Sequence, residues 1–151
     1  MRLKYFLFVC ILPCLASNCN QTPIYPITPA IVFLDINPKS VFSPKDSIVI
    51  KFSFTDGDGN LGFAASENTN DVLYKILRNN ATSVNFAARL PLIAPIGNKK
   101  SLEGEISLQF SSFGLVAANL QGDSIAYQIT IMDRDSTLSN TITTPKIWVR
   151  K

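Results

Sequence analysis

The chain has 151 residues, of which 46% are hydrophobic and 17% charged. This length suits one domain, and the composition is too apolar for a disordered chain. The absence of histidine excludes Ser–His–Asp triads, Cys–His dyads and His-ligated zinc or haem. The net charge of +3 gives little attraction for polyanions, and the Lys99-Lys100 pair is too small for a phosphate-binding patch, so we expect no nucleic-acid partner.

The N-terminal segment has the pattern of a secretory signal peptide. Arg2 and Lys4 precede a charge-free apolar run that ends at Ala16. This run is too short to cross a bilayer, which takes about 20 residues. A basic start followed by a short apolar run is typical of signal peptides, although a core element at the true N-terminus is an alternative. We therefore predict that residues 1–18 form a signal peptide and that the protein is exported.

The segment Leu15-Ala16-Ser17-Asn18-Cys19 resembles the cleavage site of bacterial lipoproteins, in which a lipidated cysteine becomes the first mature residue. Asn18 departs from the small residue usual at that position, and Cys14 is a weaker candidate because Pro13 precedes it. We expect lipid on Cys19 and contact with the membrane, as an outer-membrane lipoprotein facing the periplasm or the cell surface. Without lipid, Cys19 would be a lone thiol in a secreted protein.

Residues 19–29 are predicted to form a tether. Pro23, Pro26 and Pro29 recur at three-residue spacing, which favours an extended polyproline-like chain. The mature chain keeps a single cysteine and therefore has no internal disulfide, so its fold must depend on core packing. We place the folded domain at residues 30–151.

Strand patterns dominate that domain. Hydrophobic and polar residues alternate over residues 47–54, 104–110 and 125–132, which is the mark of half-buried antiparallel strands. Weaker strand patterns cover residues 31–36, 72–77, 84–90 and 141–149, the last interrupted by Pro145. Six or seven short strands without crossover helices predict an all-β chain folded as a single antiparallel β-sandwich.

The segment following the first of these strands contains a glycine pattern. Gly57, Gly59 and Gly62 satisfy the spacing GxGxxG of dinucleotide-binding loops. The residues after Gly62 lack the length and periodicity of the helix that such a site needs, and Asp56 and Asp58 would repel a pyrophosphate. We therefore reject a dinucleotide site.

Calcium is the better candidate ion for this loop. Asp56, Asp58 and Asn60 occupy positions 1, 3 and 5 of a DxDxN pattern, and Glu67 falls at position 12. Alternate positions bring oxygen atoms together on one hard cation. Leu61 stands where an EF-hand requires glycine, so the loop is no EF-hand. The alternative is an ordinary Gly/Asp/Asn-rich turn without an ion.

A second acidic turn follows the strand that ends near residue 132. Asp133 and Asp135 would join the first loop as calcium ligands if both turns lie at the same end of the sandwich. Arg134 between them suits the alternative of solvated loop charges. The candidate metal ligands are therefore Asp56, Asp58, Asn60, Glu67, Asp133 and Asp135.

Three stretches carry a common pattern. They are the signal peptide with its Pro/Thr-rich tether, the sequence DSIVIKFSFTDGDGNLG at residues 46–62, and residues 127–147 with Asp133-Arg134, Ser139-Asn140 and Thr144-Pro145. Together they resemble a family of small, mostly uncharacterised lipoproteins of Bacteroidota. Residues 135–138 depart from the family's Ala-Gly-Asn turn. The resemblance implies an immunoglobulin-like sandwich of about seven strands in the cell envelope, and it implies no activity.

We expect a non-enzymatic lipoprotein that binds or scaffolds a protein or glycan at the envelope, using the loops at residues 55–67 and 133–140. A competing hypothesis is a secreted carboxylate-dependent hydrolase or glycan-processing protein. It would pair Asp56 or Asp58 with Asp133 or Asp135 across a cleft. A third is an accessory subunit of an envelope complex.

Overall fold

The computed structural model describes residues 24–42, 45–78, 81–94, 100–112, 115 and 122–150. The predicted signal peptide and Cys19 lie outside these ranges. The described chain forms nine strands: β1 (Ala30–Asn37), β2 (Ser40–Phe42), β3 (Ser47–Asp56), β4 (Val72–Arg78), β5 (Ala81–Ala88), β6 (Leu102–Ser111), β7 (Asp123–Ile131), β8 (Ile142–Thr143) and β9 (Ile147–Arg150). Within the described ranges, no helix has the length and apolar character needed to cross a membrane.

The strands form two sheets, which confirms the predicted all-β sandwich. The smaller sheet has the order β1-β3-β6, and the larger has the order β2-β9-β7-β4-β5 with β8 paired to β7. Strands β2 and β9 pair in parallel, whereas every other strand pair is antiparallel. The parallel pair lies at one edge, where the three-residue strand β2 joins the larger sheet, and the sequence patterns did not predict it.

Alternating side chains of β3 explain how the two sheets pack. Ile48, Ile50 and Phe52 are fully buried, while Lys51 between them is exposed. Full burial of one such apolar side chain contributes about 1.5–3 kcal/mol. Aromatic rings connect the sheets: Phe110 of β6 lies 5.4 Å from the ring of Tyr127 in β7 and 4.7 Å from that of Tyr74 in β4. The core therefore lies between β3 and β6 on one side and β4 and β7 on the other.

The register of the strands brings distant turns to one end of the sandwich. Ala30 at the start of β1 pairs with Thr55 near the end of β3, and Val72 at the start of β4 pairs with Ile131 at the end of β7. The turns after β3 and β7 meet there, because the backbone N–H of Arg134 donates to the carbonyl of Asn60 at 3.1 Å. We call residues 56–62 together with residues 133–137 the acidic pole.

Candidate functional site

Asp56 is the innermost residue of the acidic pole. Its side chain is fully buried at the end of β3. Carboxylate oxygen Oδ2 accepts a hydrogen bond from the backbone N–H of Asn60 at 2.9 Å, whereas Oδ1 is buried without a hydrogen-bond partner. Most buried polar atoms in proteins are hydrogen-bonded, so an unpaired carboxylate oxygen is an unusual feature.

Burial raises the pKa of Asp56 to about 6. Desolvation is the largest cause, because removing a carboxylate from water disfavours its charged form. The hydrogen bond from Asn60 opposes this shift, whereas the nearby carboxyl groups of Asp58 and Asp133 add to it. The carboxylate of Asp56 therefore lies among other acidic groups in a place that water solvates poorly.

Asn60 joins the side chains of both turns. Its amide Nδ2 donates to Oδ2 of Asp58 at 3.2 Å and to Oδ2 of Asp135 at 3.0 Å, although Asn60 and Asp135 are far apart in sequence. Its own Oδ1 is buried and, like Oδ1 of Asp56, lacks a hydrogen-bond partner. Two unpaired acceptor oxygens thus lie on one loop, four residues apart.

Arg134 joins the same two turns through the backbone. Its guanidinium NH1 donates to the carbonyls of Leu61 and Gly62 at 3.2 and 3.0 Å, and NH2 approaches the carbonyl of Gly59 at 3.4 Å. Gly59 and Gly62 both have a φ of 73°, a left-handed conformation that favours glycine and turns these carbonyls toward the arginine. Sequence reasoning associated Arg134 with solvated loop charges and missed this role.

The remaining predicted ligands divide into two groups. Asp133 is buried and accepts a hydrogen bond from the N–H of Thr137 at 2.7 Å. It also lies near enough to Asp56 to help raise the pKa of that residue. Glu67 instead closes its own turn, where Oε2 accepts from the N–H of Ala64 at 2.9 Å. Among the described residues, no three Asp, Glu or Cys side chains lie close enough to share one metal ion. Any ion here would need amide, carbonyl or water oxygens as well.

Several surface cavities of the described residues lie away from the acidic pole. Four cavities have volumes of about 260 to 470 Å³, and residues outside the acidic pole line each of them. One of about 470 Å³ lies beside β6, next to Phe54, Leu90 and Ile106.

The end of the predicted tether contacts the acidic pole. A Cβ atom added at Gly57 would lie 2.6 Å from the carbonyl carbon of Pro26, so only glycine allows this close approach. The hydroxyl of Tyr25 donates to the carboxylate of Glu103. Residues 25 and 26 therefore pack on the domain, and the chain enters the sandwich at its acidic pole.

A second surface, at the other end of the sandwich, was not predicted. Phe42 and Trp148 are 45% and 44% exposed, and the guanidinium of Arg150 lies 5.2 Å from the centre of the Phe42 ring. Parallel pairing of β2 with β9 places these side chains on one face, opposite the buried Val41 and Val149. We call Phe42, Trp148 and Arg150 the aromatic patch. The alternation of buried and exposed residues in Ile147-Trp148-Val149-Arg150 was the sequence signal for two of its three residues.

No family model and no curated protein matches this sequence. Among solved structures, the fold is similar to that of Spo0M, a sporulation control protein from Bacillus subtilis, with a TM-score of 0.45 and 8% sequence identity. The match covers 82% of this chain and 50% of the Spo0M chain, so this chain spans about half of that protein.

Proposed function

We propose that this protein is a membrane-anchored lipoprotein of the bacterial envelope that binds or scaffolds a partner without catalysis. The observation that carries the proposal is the aromatic patch, which lies at the end of the sandwich opposite the acidic pole. Trp and Arg are enriched among the residues that dominate binding energy at protein interfaces. We also propose that the sandwich has the immunoglobulin-like topology that the resemblance implies.

The point where the chain enters the domain indicates which end of the sandwich would face the membrane. With lipid on Cys19, the six residues 19–24 would connect the anchor to Tyr25, which packs on the domain. An extended chain of that length spans about 20 Å at roughly 3.1 Å per residue. Strand β3 is ten residues long and adds about 30 Å between the two ends of the domain. The aromatic patch would then face away from the membrane, where a protein or glycan partner can reach it.

Mass spectrometry of the mature N-terminus tests the anchor. We expect the wild-type chain from the membrane fraction to begin at a diacylglyceryl-modified Cys19. A Cys19→Ala variant should move to the soluble fraction. An unmodified chain cut elsewhere, or one that retains Met1, would contradict the anchored part of the proposal.

Photo-crosslinking in intact envelopes tests the binding surface. A crosslinker placed at Ser40, beside Trp148 in the β2–β9 register, should capture one reproducible partner. Trp148→Ala should reduce that yield at least tenfold, because removing a central interface residue commonly costs about 2 kcal/mol or more. Leu34→Ala is the matched control, since Leu34 is also half-exposed but lies on β1. Equal losses in both variants would argue against the aromatic patch.

A further inference from the structure

We propose that the acidic pole is a calcium site in which Asp56, Asp58 and Asn60 supply the side-chain oxygens. The proposal is independent of the anchor and of the aromatic patch. It depends first on the unpaired oxygens: Oδ1 of Asp56 and Oδ1 of Asn60 are both buried without a hydrogen-bond partner. Leaving a buried acceptor unpaired is costly, and the penalty is larger for a charged group. Ionised Asp56 and the amide oxygen of Asn60 can only accept hydrogen bonds. A cation would therefore satisfy both atoms.

The surrounding charges favour a cation over a neutral ligand. The carboxylates of Asp58 and Asp135 both accept from the amide nitrogen of Asn60, and Asp133 lies close to Asp56. Arg134 is the positive side chain of the pole, but its guanidinium donates to backbone carbonyls. Asn60 therefore donates to three carboxylates, those of Asp56, Asp58 and Asp135. In the described part of the chain, none of these three forms an ion pair with a positive side chain.

The chemistry of the donors selects the ion. All three are hard oxygen ligands, which suit calcium or magnesium rather than softer metals. Calcium accepts six to eight oxygens in irregular geometry, and carbonyls and waters commonly complete its shell. Magnesium demands a nearly octahedral arrangement and holds its own water tightly. A site with two carboxylates and one amide oxygen on a short loop fits calcium, with a weak dissociation constant of about 10⁻⁴–10⁻³ M, as in extracellular modules.

Isothermal titration of the mature full-length protein in mild detergent tests the proposal. We expect saturable binding of CaCl₂ at one site, and at least tenfold weaker binding of MgCl₂. Asp58→Asn should weaken calcium binding at least tenfold, because it removes one carboxylate ligand. Asp58 is exposed, so this change leaves the core intact. Glu105→Gln removes the same charge from an exposed position on β6 and should bind calcium like the wild type.

Melting curves in calcium and in EGTA provide a second readout. Calcium should raise the melting temperature of the wild type and of Glu105→Gln, and it should leave Asp58→Asn nearly unchanged. If Asp58→Asn does not fold, Asp135→Asn replaces it, with a smaller loss of affinity expected because Asp135 contacts the pole through Asn60. Absence of saturable binding up to about 10 mM, tenfold above the weak limit, would overturn the proposal. Equal affinity in the wild type and the folded variant would also overturn it.

Discussion

Arg134 carries the positive charge that joins the two turns of the acidic pole. Its bonds to the carbonyls of Leu61 and Gly62 connect segments more than seventy residues apart. A guanidinium can serve several acceptors at once because its donors are fixed in one plane. The same residue also keeps those carbonyls in place beside Asp58 and Asn60. Its contribution is therefore structural, and its removal should affect the fold before any ligand is considered.

Replacing Arg134 with alanine should lower the free energy of unfolding by about 1–2 kcal/mol. Hydrogen bonds to charged groups are each worth about 1.5–3 kcal/mol when buried, and exposure of this side chain reduces that value. Arg134→Lys should recover less than half of the loss, because one ammonium cannot reach three carbonyls. Urea unfolding measures both, with the exposed Lys146→Ala as control. If Arg134→Ala loses no more stability than the control, the hydrogen bonds from Arg134 to these carbonyls do not stabilise the fold.

Asp71 is another buried carboxylate, and it lies immediately before β4. Oδ1 accepts from the N–H of Leu90 at 2.7 Å, and Oδ2 is buried without a partner. Desolvation raises the pKa of Asp71 above its ordinary value of 3.8, against the opposing effects of the Leu90 hydrogen bond and of Arg89. Because the folded state holds this proton more tightly than the unfolded state, ionisation of Asp71 opposes folding.

The raised pKa of Asp71 should make the stability of the wild type depend on pH. Well below pH 3.8, Asp71 is protonated in both the folded and the unfolded state, so its ionisation does not change the free energy of unfolding. As the pH rises through 3.8 and then through the raised pKa, the wild type loses stability relative to Asp71→Asn, which keeps an acceptor for Leu90 without a charge. Urea unfolding of both chains across this range should show a difference that increases with pH and then levels off. Asp56 titrates in both chains, so its effect on the free energy of unfolding cancels in the difference between them. A difference independent of pH would contradict the burial argument.

At the scale of elements, local pattern and tertiary contact determined different features. Alternation along β3, β6 and β7 is a local property, and it was sufficient to predict those strands and their buried faces. Strand β2 has three residues between prolines and pairs with the distant β9, so no local signal marked it. Pro145 divides the predicted last strand into β8 and β9. The positions of the acidic residues could be read from the sequence. The contact between Asn60 and Asp135 depends on how the two sheets pack against each other, which no local pattern determines.

The alternation of β3 predicts unequal costs for neighbouring substitutions. Phe52→Ala should lower the free energy of unfolding by about 3–5 kcal/mol, because Phe52 is fully buried and its loss leaves a cavity. Lys51→Ala should change it by no more than about 0.5 kcal/mol, since Lys51 is exposed on the other face. Denaturant midpoints measure both. Comparable losses at the two positions would mean that the inner and outer faces of β3 are assigned incorrectly.

For the whole molecule, the two ends of the sandwich differ in chemistry. The acidic pole contains Asp56, Asp58 and Asn60 and receives the incoming chain at Tyr25 and Pro26. The aromatic patch lies at the opposite end, with Trp148 paired beside Ser40 at the edge of the larger sheet. A lipid anchor at Cys19 would determine which of these two ends faces the membrane. The pole would then lie near the membrane and the aromatic patch would lie far from it.

Energy transfer from tryptophan to an acceptor-labelled lipid measures that orientation. The sequence contains a single tryptophan, so Trp148 is a reporter at the distal end without further change. A Trp148→Phe, Asp58→Trp double variant moves the reporter to the exposed rim of the acidic pole. In proteoliposomes that contain the lipidated chain, we expect much stronger transfer from position 58 than from position 148, because the two ends lie about 30 Å apart along β3. With Cys19→Ala, transfer from both positions should fall to background. Equal transfer in the lipidated chains would contradict the proposed orientation. Reversed transfer would mean that the aromatic patch faces the membrane, and the partner would then have to be sought in the lipid bilayer.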